Sequence, residues 1–468
     1  MRRDVASAYV VTLARLVSWI VVLALVYRKM GSGAFATLAL VRATVGLFNY
    51  ASLGIAPAMV HLLAKERAEA VLPVTESARG GSTTGESAMR QASSDVLSYA
   101  SPDANRPPVP IVSPLQSLYF SGWMMMALAV LAGSAMLVLY VGLFAEGLLK
   151  TASGLRDEIF RVIWLMGVGV LLRVLSDASG AVLQAAGRIT LDNLLLAGGE
   201  VVWLVLCILW ITDDPDHLPR VAAAFALASG LLLVARFIAA ETVAPIINVN
   251  IKLDWPGGRK LLAFGLLVTL TQAADYLYAP TDYLLIHQLL GPDVVSVYVP
   301  AVQIDAGLLL LVTGLSSVIF PRAAVAYTAG RLDVVRRYYI LGTMASAALL
   351  TAAGAIVWVL SPWIFKTWLG NPMRPTQLIL PLVLIHTIVG GSSAVGRSIL
   401  LGMGKVRPFT IAVLVAGAAN VLLSYIFVKH LGLGLNGIIY GTVLAVTLRA
   451  GVWMPWYVMR VLRRGSRI

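Results

Sequence analysis

Long apolar blocks separated by short polar turns occupy most of this chain. A helix needs about 20 mainly apolar residues to cross a bilayer's hydrocarbon core, and in lipid only helices and closed barrels satisfy every backbone polar group. The blocks are far longer than barrel strands, so the pattern predicts an all-α integral membrane protein. Twelve spans fit, at about 5–27, 36–63, 115–143, 159–184, 190–212, 220–242, 260–288, 295–321, 338–360, 377–401, 408–428 and 434–458. An even count puts both ends of the chain on one side.

Turn motifs add an internal repeat. Leu183-Gln184-Ala185-Ala186-Gly187-Arg188 returns 217 positions later as Leu400-Leu401-Gly402-Met403-Gly404-Lys405. The stretch from Leu25 to Gly31 and Ser52-Leu53-Gly54 return 260 positions later, as Leu285 to Gly291 and Val312-Thr313-Gly314. Six spans are therefore duplicated in the same orientation, the first copy carrying an insertion after its second helix. Two pseudo-symmetric six-helix bundles, related by an axis along the membrane normal and flanking a cleft, follow as the expected architecture. The resulting division is 1–64 for the first two helices, 65–114 for a connecting loop, 115–245 for the rest of the first lobe and 246–468 for the second lobe.

The loop is rich in Ser, Gly and Pro, with little apolar periodicity, so it is expected to be a flexible cytoplasmic spacer. The start, Met1-Arg2-Arg3 and then an apolar run to Val26, is expected to be a retained span, because the run is long and carries Arg15 in its middle.

Composition and charge narrow the class. A hydrophobic fraction of 59% and a charged fraction of 13% lie outside the soluble range. The net charge of +13 could suggest nucleic acid, but basic residues fall mainly in the loops on the side of the termini: of 36, 22 lie there, 8 opposite, and 6 within spans or near their ends. That is the asymmetry of the positive-inside rule, so both termini are expected in the cytoplasm and no nucleic-acid partner is implied. The lone Cys207 offers neither an intramolecular disulfide nor a cysteine metal site. No metal site or cofactor is expected, since His61, His287 and His386 are scattered and no phosphate-binding Gly-x-x-x-x-Gly-Lys-Ser/Thr loop occurs.

Charged residues inside the spans carry the candidate chemistry, because burial in lipid is costly without a wet cavity or a partner. Arg15 and Arg42 in the first two spans suit an anionic head group; a guanidinium cannot deprotonate and binds phosphate in a bidentate manner. Gln272, Asp275 and Asp282 share a stripe of the seventh span, expected to line the cleft. The repeat sets Asp275 opposite Arg15, and the two are expected to meet near the cleft apex. Asp305 in the eighth span, with Asp275, is a candidate for ion coupling. Arg449 in the last span is a further cleft candidate. Arg173 and Asp177, four residues apart on one helix, are expected to satisfy each other, and Glu200 to pair with Arg236.

The run FGLLVTLTQAADYLYAPTDYLLIHQLLGPDVVSVYVPAVQI, followed by VIFPRAAVAYTAGRLDVVRRYY, resembles the seventh and eighth spans of polysaccharide biosynthesis flippases of the multidrug/oligosaccharidyl-lipid/polysaccharide (MOP) superfamily. The turn at Gly404-Lys405 with Ala418-Ala419-Asn420, the turn Leu431 to Gly434, and the opening ARLVSWIVVLALVYRKMGSGAFATLAL resemble the same family. The likeness covers nearly the whole chain except 66–114. It implies a V-shaped two-bundle fold in the cytoplasmic membrane that exports a lipid-linked oligosaccharide, carried on undecaprenyl diphosphate, by alternating access. Glycan-assembly enzymes and a coupling H+ or Na+ are the implied partners besides the bilayer. Two other readings compete: a drug or cation exporter of the same superfamily, and a membrane enzyme acting on polyprenyl-linked sugars. Arginines without an acid in the first two spans favour an anionic cargo, and short external loops disfavour the enzyme.

Overall fold

In a computed structural model of the chain, the described residues are 2–60, 62–63, 113–144, 156–211, 218–246, 278–328, 330–403 and 405–465, with isolated positions between 255 and 269. The seventh span's Gln272 and Asp275, and most of the loop expected at 65–114, lie outside them.

All regular structure among the described residues is helical. α1 (Arg2–Val45) takes in the first span and the start of the second, breaking at Gly31, where φ is 85° and ψ is −178°. Only glycine adopts such a backbone without strain, so the residue that closes the first span also aims the second. A 3-10 turn (Gly46–Ser52) continues it. α2 (Ser113–Leu139), α3 (Arg156–Ala185), α4 (Ile189–Trp210) and α5 (Leu218–Glu241) complete the first bundle. The second comprises α6 (Ala279–Leu290), α7 (Pro292–Thr328), α8 (Leu332–Leu369), α9 (Arg374–Ser392), α10 (Ala394–Gly402), α11 (Val406–Lys429), α12 (Gly434–Val446) and α13 (Met454–Gly465). A π-helical turn, Thr447–Trp453, joins the last two. Ten of the helical stretches are long and apolar enough to span; splitting α1 at Gly31 and adding the seventh span, whose second half is α6, gives the twelve-helix, two-bundle fold.

The duplication is visible in the backbone. α4 begins at Ile189 and α11 at Val406, the same interval that separates the Gly187-Arg188 and Gly404-Lys405 turns before them. Gly31 has its repeat counterpart in Gly291, with φ 100° and ψ 167°. The α4 helix is apolar outside Thr190, Asp192, Asn193 and Glu200, and its two acids are turned inward. Lipid-facing positions such as Leu209 and Val205 are exposed, while Trp203 and Cys207 are fully buried. One apolar core runs through both bundles, and a smaller one, with Val335, Val395, Phe409 and Met454, closes an end of the second.

Candidate functional site

Three arginines and one glutamate form a polar cluster inside the first bundle. Arg15 on the first limb of α1 places Nε 3.3 Å from Glu200 Oε1, and Arg173 of α3 places Nη1 2.6 Å from the same oxygen. Ser18, one turn from Arg15, donates to the Glu200 carbonyl oxygen at 3.2 Å, tying α1 to α4. Arg173 also donates to Ser229 at 3.1 Å and lies 4.4 Å from the Phe225 ring centroid. On the second limb of α1, Arg42 stacks 3.5 Å over the Trp19 ring. It is within electrostatic reach of Arg15, Arg173, Glu200 and Tyr283 of α6.

Three guanidinium groups stand against the Glu200 carboxylate, and Asp177, itself held by Arg236, is also within electrostatic reach of Arg15, so the cluster keeps an excess of positive charge. Burial separates the roles. Glu200 is 1% exposed and Arg173 18%, whereas 52% of the Arg15 side chain is accessible. Glu200 Oε2 and Arg173 Nη2 make no hydrogen bond among the described residues. Glu200 thus holds Arg15 and Arg173 through one oxygen, with Arg15 the more accessible member of the pair.

The partner choices differ from those expected. Arg15 sits on Glu200, and its expected meeting with Asp275 falls outside the described residues. Arg173 and Asp177 do not pair along their helix: Arg173 turns to Glu200, and Asp177 Oδ1 accepts from Arg236 Nη1 at 2.8 Å. Arg236, 2% exposed, also reaches Asp192 at 2.7 Å, and Gln184 donates to the other Asp192 oxygen at 2.8 Å. So Glu200 does not pair with Arg236. In a medium of low dielectric each buried charge takes the partner that desolvates it least, and a cross-helix carboxylate with further donors prevails over a neighbour four residues away.

The second bundle holds two separate carboxylates. Asp282, expected on the cleft wall, is instead fully buried. It accepts from Tyr298 of α7 at 3.1 Å, Asn420 of α11 at 3.0 Å and Thr442 of α12 at 2.9 Å. Thr442 Oγ1 and Ser424 Oγ also lie 3.2 and 3.3 Å from the Ile438 carbonyl oxygen. The oxygens converging here are hard donors of the kind that hold a proton or a small hard cation, and the three hydrogen-bond donors to the carboxylate are neutral. Asp305 is also drawn inward: Oδ1 accepts from Thr387 at 2.6 Å and Oδ2 lies 3.8 Å from His386 Nε2. Tyr283 is within electrostatic reach of both carboxylates and of Arg42, and so lies between the acidic bundle and the basic one.

Arg449, in the π-helical turn, lies 5.3 Å from the Tyr278 ring, and its Nε makes no hydrogen bond among the described residues. Sequence reasoning missed the parts played by Arg173, Glu200, Asn420 and Thr442. The resemblance singled out Ala418-Ala419-Asn420 but gave Asn420 no part, and the internal repeat pairs it with the buried Trp203.

The described helices form a two-bundle, all-helical membrane architecture. Comparison with known proteins agrees. The MatE family model matches residues 268–426. Among solved structures, a multidrug resistance MATE family transporter of the MOP superfamily in its inward-facing conformation superposes with a TM-score of 0.75 at 13% identity, over 98% of both chains. An outward-facing MATE transporter of that superfamily gives 0.60 at 15% identity, over 99% of this chain and 97% of that one. A MOP superfamily transporter from Pyrococcus furiosus gives 0.61 at 15% identity, over 98% and 97%. These likenesses establish the fold as that of the MATE transporters. An uncharacterized membrane protein of Bacillus subtilis, EpsK, is 22% identical over 71% of this chain; the match spans 64% of EpsK, less than two thirds of its length.

Proposed function

We propose that this chain is a transporter that exports an anionic, lipid-linked oligosaccharide, carried on a polyprenyl diphosphate such as undecaprenyl diphosphate, across the cytoplasmic membrane for polysaccharide biosynthesis. The observation that carries the reading is the excess positive charge of Arg15, Arg42 and Arg173 over Glu200, with Arg15 accessible. A diphosphate head matches both the charge and the fork geometry. Rocking of the bundles about that cluster would move the head from one leaflet to the other while the tail stays in lipid. Outward movement of negative charge from an inside-negative cell is favourable by about 2.3 kcal/mol per charge per 100 mV.

The Asp282 site supports a coupling role for a proton or sodium ion, with Asp305 and His386 beside it. The rival reading, a multidrug or cation antiporter, is favoured by the multidrug resistance role named for the MATE transporters and by these acids. For the Pyrococcus furiosus protein a reversed pocket polarity suggests a different function, and the same logic favours an anionic cargo here.

The test is reconstitution of the purified chain in proteoliposomes loaded with a polyprenyl-diphosphate oligosaccharide. Arg15→Ala should abolish its translocation without changing protein abundance, and Arg15→Lys should retain part of it. Transport of organic cations on an imposed gradient, with no movement of the glycolipid, would overturn the reading.

A further inference from the structure

Four basic residues converge where the bundles touch on the side opposite the chain ends. Arg28 and Lys29 close the first limb of α1, Lys366 stands in the last turn of α8, and Arg374 opens α9; all four are exposed. Contacts across the seam bring them together. Arg28 donates to the Thr367 carbonyl, and a Cβ built at Gly370 would lie 3.8 Å from Arg28 Nε. Lys366 is one turn before Gly370 on the same face of α8, and Arg374 follows Met373, whose Sδ lies 3.3 Å from Tyr27 Oη.

This is the side on which basic residues are few. Of the 36 in the chain eight fall there, and four of those eight stand at this contact. Positive charge placed against the usual asymmetry needs another cause. Neither 20–31 nor 364–377 contains an acid. Asp293, in the first turn of α7, forms no ion pair with any of the four. Closing the seam therefore gathers like charges, which repel one another unless an anion stands between them.

The local chemistry suits a phosphate. Arg28 spends Nη2 on Thr367, which leaves its other guanidinium donors for an anion. Met373 holds a left-handed backbone, φ 50° and ψ 53°, and α9 starts at Arg374 with no side-chain cap on its first turn. Open N–H groups at a helix start favour the same negative charge. The chain reverses at Gly31, which sets these cations at the level of the lipid head groups. Arg28 lies 13 residues beyond Arg15, about 20 Å along the helix, so the two sites are separate.

We infer that Arg28, Lys366 and Arg374 form a phosphate site bridging the two bundles, and that its occupant holds this end of the seam shut. The ligand is a phosphate group at head-group level, borne by a polyprenyl diphosphate or by an anionic phospholipid of that leaflet. An empty site leaves the cations to push the bundles apart, and a filled one turns them into a latch. The inference does not depend on the cargo reading of the Arg15 cluster.

The experiment uses the full chain with Cys207→Ala, spin-labelled through Ser32→Cys on α1 and Leu378→Cys on α9, in phosphatidylcholine nanodiscs. Label separation is read by pulsed electron paramagnetic resonance. Three anions are compared: inorganic pyrophosphate, farnesyl diphosphate, and phosphatidylglycerol blended into the nanodisc. An anion that binds should shift the population to the shorter separation. A shift with the two diphosphates alone assigns the site to a diphosphate head, and a shift with phosphatidylglycerol assigns it to a phospholipid. Arg28→Gln should raise the concentration giving half the effect by about tenfold. Lys366→Glu supplies Arg28 with a carboxylate and should give the short separation with no anion added, which tests the site even if Arg28→Gln does not fold.

A separation indifferent to all three anions would overturn the inference, as would a long separation in anion-free Lys366→Glu. So would a response unchanged in Arg28→Gln but abolished by Arg15→Gln, since closure would then be driven from the other cluster. Closure that needs Arg28, in a protein that moves no glycolipid in proteoliposomes, would uphold the inference and reject the transport reading.

Discussion

A single carboxylate sets the character of the first bundle. Glu200 accepts from both Arg15 and Arg173 through one oxygen, so neither arginine is fully neutralised and both are held in place. Breaking a buried pair by removing one partner costs about 3–5 kcal/mol, because the other charge is left without compensation. Glu200→Gln should therefore lower the thermal unfolding temperature and loosen Arg15, whereas Arg15→Ala, at the accessible end, should leave that temperature nearly unchanged. A large drop for Arg15→Ala would make it a structural residue. At Asp282 the isosteric change to Asn keeps the volume and most hydrogen bonds, so Asp282→Asn should fold normally and erase the dependence of transport on a proton or sodium gradient. Unaltered gradient dependence would show that the carboxylate only braces α6 against α7, α11 and α12. Sequence alone marked Arg15, Arg42 and the acids as unusual because lipid-buried charge is costly. It could not choose their partners, since Arg173 and Asp177 satisfy the four-residue spacing yet turn to different helices.

At the scale of helices, the repeat was legible because it is written in turn glycines whose backbone conformation few other residues tolerate. Gly31 and Gly291 still share it. The interior of the copies has diverged where the sites are. Trp203 is the repeat counterpart of Asn420, and its indole donates to the Val221 carbonyl at 3.3 Å, just as Ser424 and Thr442 reach the equivalent Ile438. Trp203 packs 4.5 Å from Trp19 and 5.7 Å from Phe225, the residue in the position of Thr442. Val22 occupies the place of Asp282. An oxygen site in one bundle is an aromatic plug in the other. Helix packing also has a tight point at Gly180, where a Cβ would collide with Arg236 Nη2. Gly180→Ala should push Arg236 off Asp192 and lower stability by about 3 kcal/mol or more, read as a fall in unfolding temperature in detergent. An unchanged unfolding temperature would mean that α3 and α5 separate without cost.

Among the described residues the bundles meet near the Gly31 turn, and again where the Gly54 and Gly265 backbones touch. Arg28 donates to the Thr367 carbonyl, Tyr27 Oη lies 3.3 Å from Met373 Sδ, and Trp368 reaches the Ile20 carbonyl. The better overlap with an inward-facing transporter, 0.75 against 0.60 for an outward-facing one, accords with closure at that end. The rocking proposed above requires those contacts to part. In a Cys207→Ala background, thiols placed at Tyr27 and Met373 and bridged by a short bifunctional reagent should arrest transport, and cleavage of the bridge should restore it. Undiminished transport by the bridged protein would exclude opening at this end. The twelve-span count and the duplication were readable from apolar blocks and turns, because lipid dictates both. The seam was not, since contacts between bundles join residues far apart in the chain and leave no periodic trace.

Two of those clasps are built from a side-chain donor on one bundle and a main-chain acceptor on the other. A peptide oxygen is present whatever amino acid bears it, so the hold at 367 is indifferent to genetic drift at that position and concentrates on Arg28 and Trp368. The clasp also has no titratable acceptor, and changes in acidity on either side of the membrane leave its grip untouched. A proton or cation taken up elsewhere can loosen this clasp only by moving the helices that bear it.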